Sequence, residues 1–108
     1  MKVVLFDIES HFSTAAMEEA MDLVRETNEY DLTQPEEGFY HFISRQPDYH
    51  VEMAFKADGT VSAKCQCTVF KRTKQCKHAL ASLLMLRDHI LRSRRTKSKS
   101  KHENLLLD

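Results

Sequence analysis

The stretch CQCTVFKRTKQCKH, residues 65–78, holds all three cysteines of the chain and a histidine two positions after the last of them. A disulfide framework would leave one thiol over, and nothing in the chain points to export. A nucleophilic cysteine needs a partner base and a third group to orient it, and three clustered thiols do not have that form. A structural zinc site uses every residue without remainder: Cys65, Cys67, Cys76 and His78 are three thiolates and an imidazole, a closed tetrahedral set for Zn2+. Charged and polar neighbours (Lys64, Gln66, Lys74, Lys77) argue against a dry core of thiols.

The spacing is consistent with such a site. Cys65 and Cys67 stand two apart at the end of an alternating segment, so on a strand both side chains leave one face. The eight residues between Cys67 and Cys76 allow the chain to turn back over the metal. Two positions apart on a helix differ by about 200° in azimuth. Cys76 and His78 therefore converge only if Cys76 precedes a helix and His78 sits in its first turn. Helical periodicity does begin directly after His78, and a helix N-terminus there adds partial positive charge beside the thiolates.

Upstream, Tyr49, Val51, Met53 and Phe55 alternate with polar or small residues, which predicts a half-buried strand. Asp58-Gly59 predicts a hairpin turn, and Val61, Ala63 and Cys65 alternate again. A further antiparallel strand is predicted within 37–44, giving a meander of three or four short strands punctuated by Pro35, Gly38 and Pro47. Val3, Val4, Leu5, Phe6 and Ile8 form an apolar run suited to a strand. An N-cap at Ser13 or Thr14 followed by Ala16, Met17, Ala20, Met21 and Val24 predicts an amphipathic helix ending near Asn28. Downstream, Leu80, Leu83, Leu84, Ile90 and Leu91 mark one face of a C-terminal helix. The stretch SRRTKSKSKHEN has almost no apolar residue and predicts a disordered basic tail or linker over 93–108. The fold class is α+β, with a single domain over residues 1–92 and a finger core over 48–91.

The pattern C-x-C, a spacer, then C-x-H resembles the SWIM zinc finger family. It stands here as Cys65-Gln66-Cys67, eight residues, Cys76-Lys77-His78, with CKHALASLL opening the helix. The resemblance is clear over 48–86 and weaker back to the helix at 14–28. The spacer TVFKRTKQ has neither the proline nor the glycine frequent in the family. The resemblance implies a ββα zinc fold and a binding role toward DNA or protein. It also implies a frequent setting within larger chains, among them helicase-like ATPases, transposases and ubiquitin ligases.

The composition fits a binding module. Of 108 residues 30% are charged, and the net charge of zero conceals a segregation. Residues 1–55 carry 3 basic and 12 acidic side chains, net −9, and residues 56–108 carry 13 basic and 4 acidic, net +9. Such segregation either draws the halves together within the fold or presents a basic surface to a partner. Lys71, Arg72, Lys74 and Lys77 rim the metal ligands, and Arg92, Arg94 and Arg95 follow the helix. Such clusters suit nucleic-acid phosphates and favour DNA as the partner, with binding that is salt-sensitive and weakly specific. Phe70 has the character of a base-stacking residue or of the finger's small core. The alternative is a protein-interaction module that uses acidic residues such as Glu18, Glu19, Glu26 and Glu29. A magnesium nuclease reading of Asp7-Ile8-Glu9, which looks like the first motif of proofreading exonucleases, lacks the further carboxylates such chemistry needs. The chain is expected to be non-catalytic, with no small-molecule substrate. Without a signal peptide or an apolar run of roughly 18 residues, it is expected to be intracellular (cytoplasmic, or nuclear in a eukaryote) and off the membrane.

Overall fold

The computed structural model describes residues 1–73 and 76–107, with side chains described through Ser93. Five strands form one antiparallel sheet: β1 (Lys2–Val4), β2 (Glu29–Glu36), β3 (Phe39–Gln46), β4 (Asp48–Phe55) and β5 (Thr60–Cys65). Their order is β1-β5-β4-β3-β2, so four sequential strands make a meander and β1 adds to its far edge. Three helices accompany it: α1 (Thr14–Glu26), α2 (Thr68–Thr73) and α3 (Lys77–Leu107).

The strand period decides which side of the sheet is covered. Tyr49, Val51 and Met53 of β4, Val61, Ala63 and Cys65 of β5, and Phe42 and Ser44 of β3 are all buried. The alternate residues are exposed or half-buried, with Glu52 and Lys64 exposed directly opposite each other. Helix α3 packs on β4 and β5, and α1 packs on α3. The first turns of α3 thus lie between two layers, and Ala79 through Leu84 are buried all round rather than along one face. Three of those residues, Ala79, Ala81 and Ser82, are small and permit the close approach. The Ser82 hydroxyl donates to the His78 carbonyl at 2.8 Å and so keeps no unmet proton. Complete burial of Leu83 and Leu86 is worth about 1.5–3 kcal/mol for each side chain.

The turns follow their chemistry. Gly59 has φ +91°, and the Asp58 carboxylate accepts the Thr60 N–H at 3.0 Å and the Thr60 hydroxyl at 2.7 Å. Those bonds hold the Asp58 carboxyl below its ordinary pKa. Gly38 turns β2 into β3 with φ +83°, and its carbonyl accepts the Phe55 N–H at 2.7 Å. Ser13 caps α1 by accepting the Ala16 N–H at 3.2 Å.

The expectation for the N-terminal run is corrected. The N-terminal apolar run stays a strand only to Val4. Leu5–Ser10 then forms a 3-10 segment that drives Leu5 and Ile8 fully into the core. On that segment Glu9 pairs with Arg87 of α3 at 2.8 Å. The spacer between Cys67 and Cys76 contains α2, because nothing in TVFKRT breaks a helix. The backbone of α3 runs on as helix to Leu107. Residues 92–107 contain no glycine or proline to end a helix, and long polar side chains propagate one without needing a core.

Candidate metal centre

Cys65, the last residue of β5, is buried, and Cys67 follows two positions later. Cys67 lies beyond the strand, at the start of α2. Its sulfur accepts the Phe70 N–H at 3.3 Å and its carbonyl accepts the Lys71 N–H at 3.1 Å. Cys76 repeats the arrangement at the start of α3. Its sulfur accepts the Ala79 N–H at 3.4 Å and its carbonyl accepts the Leu80 N–H at 3.2 Å. Both cysteines therefore serve as N-caps in the way serine does, with sulfur in place of oxygen. His78 stands in the first turn of α3, its Nδ1 3.9 Å from the Cys65 sulfur. The geometric condition drawn from the sequence, Cys76 before the helix and His78 inside it, is met.

The four donor atoms lie within 4.8 Å of one another. Sulfurs at about 2.3 Å from a tetrahedral zinc are roughly 3.8 Å apart, so the donors need only contract modestly around an ion. Their chemistry fits zinc as well: three soft thiols and one imidazole, with no carboxylate in the set. All three cysteines are free of disulfides. Among the described residues this is the sole such cluster of potential ligands.

Burial sets the protonation of the donors. It pushes the Cys65 thiol up, and it pushes Cys76 up to about 12. At Cys67 burial also acts upward, but the Phe70 N–H, the neighbouring thiols and the Val69 N–H hydrogen-bond to the sulfur, and the net shift is downward. His78 is shifted down, first by burial and then by the adjacent Lys77 charge, so its imidazole is neutral and has a lone pair to give. Against the ring lies Tyr49, stacked at 4.8 Å between centroids.

The basic residues named from the sequence divide into groups. Lys71 and Arg72 are exposed on the last turn of α2, and Lys77 is exposed at the start of α3 between two ligands. Arg92 is exposed and bonded to Asp88 at 2.9 Å. Lys74 lies outside the described residues, as do the side chains of Arg94 and Arg95. Phe70 is 6% exposed and belongs to the core, which removes it as a base-stacking residue. The exposed apolar residue of α2 is instead Val69, at 58%. It borders a cleft of about 490 Å³ that Phe12, Ala16, Leu80 and the sulfur ligands Cys67 and Cys76 also line.

The end of β5 and the starts of α2 and α3 thus bring three sulfurs and one imidazole together, the donor set of a structural zinc finger. The SWIM zinc finger family model matches residues 49–87, from Tyr49 on β4 to Arg87 on α3. Over those residues the chain is similar to the SWIM zinc finger, and the cluster of Cys65, Cys67, Cys76 and His78 supports Zn2+ binding there. No curated protein and no solved structure matches the chain. No helix among the described residues is long and apolar enough to cross a membrane.

Proposed function

We propose that the chain is a non-catalytic zinc module that binds nucleic acid, DNA in the first place, and serves within a longer polypeptide or complex such as a helicase-like ATPase. In this reading β4, β5 and α3 act as a ββα finger, and α2 is the bridge across its metal. Four protein donors leave the zinc no open position at which to activate water. The metal is then a staple, contributing on the order of 10 kcal/mol to the folded state. The observation that carries the binding role is the exposed basic set Lys71, Arg72 and Lys77 around the metal, on the same half of the chain as the run SRRTKSKSK. Cations grouped in this way neutralise phosphates and release counterions. The set holds one arginine and no asparagine or glutamine, so weak sequence preference is expected.

The second reading is a protein-interaction module. Exposed Val69 beside the apolar cleft favours it. A fluorescence-anisotropy titration of single- and double-stranded DNA against salt separates the two. The nucleic-acid reading expects log affinity to fall linearly with log salt, with little difference between unrelated sequences. Absence of binding at low salt would leave the protein-interaction reading standing alone.

A further inference from the structure

Tyr49 is buried at 5% exposure, and its ring lies against His78 with an interplanar angle of 25°. Its hydroxyl is 2.8 Å from Oγ1 of Thr27, the residue that ends α1. Thr27 Oγ1 in turn donates to the Leu23 carbonyl of α1 at 2.7 Å. A hydroxyl has one proton to give. Because the threonine proton goes to Leu23, the tyrosine must be the donor to Thr27. Burial raises the Tyr49 pKa, which keeps that proton in place at neutral pH.

We propose that Tyr49 and Thr27 are positioning residues of the zinc site, holding the His78 imidazole in its ligating orientation and tying the end of α1 to the metal. The reason lies in what the helix leaves free. Placement in the first turn of α3 fixes the His78 backbone, but the ring still turns about its side-chain bonds. A flat aromatic face 4.8 Å away restricts that rotation and keeps Nδ1 toward the Cys65 sulfur. The tyrosine ring is itself held at both ends, by Phe42 stacked at 5.6 Å on the sheet side and by Thr27 at the hydroxyl. Thr27 lies outside the segment that matches the family. The metal site of this chain therefore extends into its N-terminal helix, and metal retention depends on α1 being docked.

The test uses the full chain, loaded with Zn2+ for release to a chelator and with Co2+ for its ligand-field spectrum. Tyr49→Leu removes the ring and is expected to release zinc about tenfold faster, as loss of an outer-shell partner does, with a shifted and broadened cobalt spectrum. Tyr49→Phe keeps the ring and is expected to retain the wild-type cobalt spectrum. Leu5→Ala is the control. It opens a cavity at an equally buried site outside the Thr27–Tyr49–Phe42–His78 contacts, and it is expected to lower the melting temperature while leaving the spectrum unchanged. A Tyr49→Leu protein whose spectrum is unchanged and whose release matches Leu5→Ala would overturn the positioning role. Should Tyr49→Leu fail to fold, Thr27→Val and Tyr49→Phe still decide the matter. Each is expected to speed release a few-fold, and the double variant no further than Thr27→Val, because both remove the same Tyr49–Thr27 hydrogen bond. Unchanged release in both, or fully additive effects, would overturn the link to α1. A wild-type protein that takes up no cobalt would overturn the site itself.

Discussion

Burial holds the thiols of Cys65 and Cys76 protonated at neutral pH before metal arrives. Zinc binds thiolates, so each of these sulfurs gives up a proton as it is ligated. The sign follows directly. Protons compete with the metal, and apparent zinc affinity is expected to rise with pH across the neutral range. Calorimetry in buffers of different ionisation enthalpy is expected to record release of at least two protons per zinc at pH 7, and a value near zero would contradict the shifted thiols. Substitution is harsher. Cys76→Ser preserves an N-cap acceptor for Ala79 but not the metal bond. It is expected to abolish zinc by elemental analysis and to unfold the finger by circular dichroism, because about 10 kcal/mol of binding energy is also folding energy. At this scale the sequence was highly legible: residue type, count and spacing name the four residues that the fold clusters, and the requirement that His78 open a helix is met. Tyr49 was visible only as an alternating strand residue. Its partner Thr27 is 22 positions away, and no local pattern links the two.

Among the elements, the meander, α1 and the start of α3 were legible because each rests on a local period or on a turn dipeptide. The shortened β1 was not. The apolar run of residues 3–8 fits a strand equally well, and only the three-dimensional core makes Leu5 and Ile8 turn inward through a 3-10 segment. Helix α2 is the opposite case. Its signal is an absence, the lack of glycine or proline between Cys67 and Cys76, and six residues are too few to show a periodicity. The two turn glycines are open to a direct test. Both have positive φ, so Gly59→Ala is expected to cost about 1 kcal/mol for the left-handed backbone alone, since a methyl there meets nothing within 4 Å. At Gly38 the added carbon lies 3.0 Å from the Phe55 carbonyl oxygen, which is itself backbone. Gly38→Ala is therefore expected to cost measurably more than Gly59→Ala in urea melts of the zinc-loaded protein. Equal costs would show that β4 yields readily at that point.

For the molecule as a whole, the segregation of charge between its halves is only partly consumed inside the fold. Glu9 on the 3-10 segment meets Arg87 on α3, a contact across 78 positions that ties the acidic half to the basic one. Arg25 and Arg92, by contrast, pair within their own helices. Lys71, Arg72 and Lys77 remain exposed beside the metal. If the surplus positive charge serves phosphates, each cation that makes a contact contributes about 0.9 to the slope of log affinity against log salt. Replacing Lys71 and Arg72 together by alanine is then expected to lower that slope by about 2, weakening all DNA sequences alike. The change should leave zinc content and melting temperature within error, since both side chains are solvent-exposed and neither holds the metal. Ending the chain after Ser93 removes the basic run without touching a buried residue among those described, and it is expected to lower the slope again by an independent amount. If both changes leave the salt dependence untouched, the basic half does not serve as a phosphate surface, and its charge acts through attraction to the acidic half or to a protein partner.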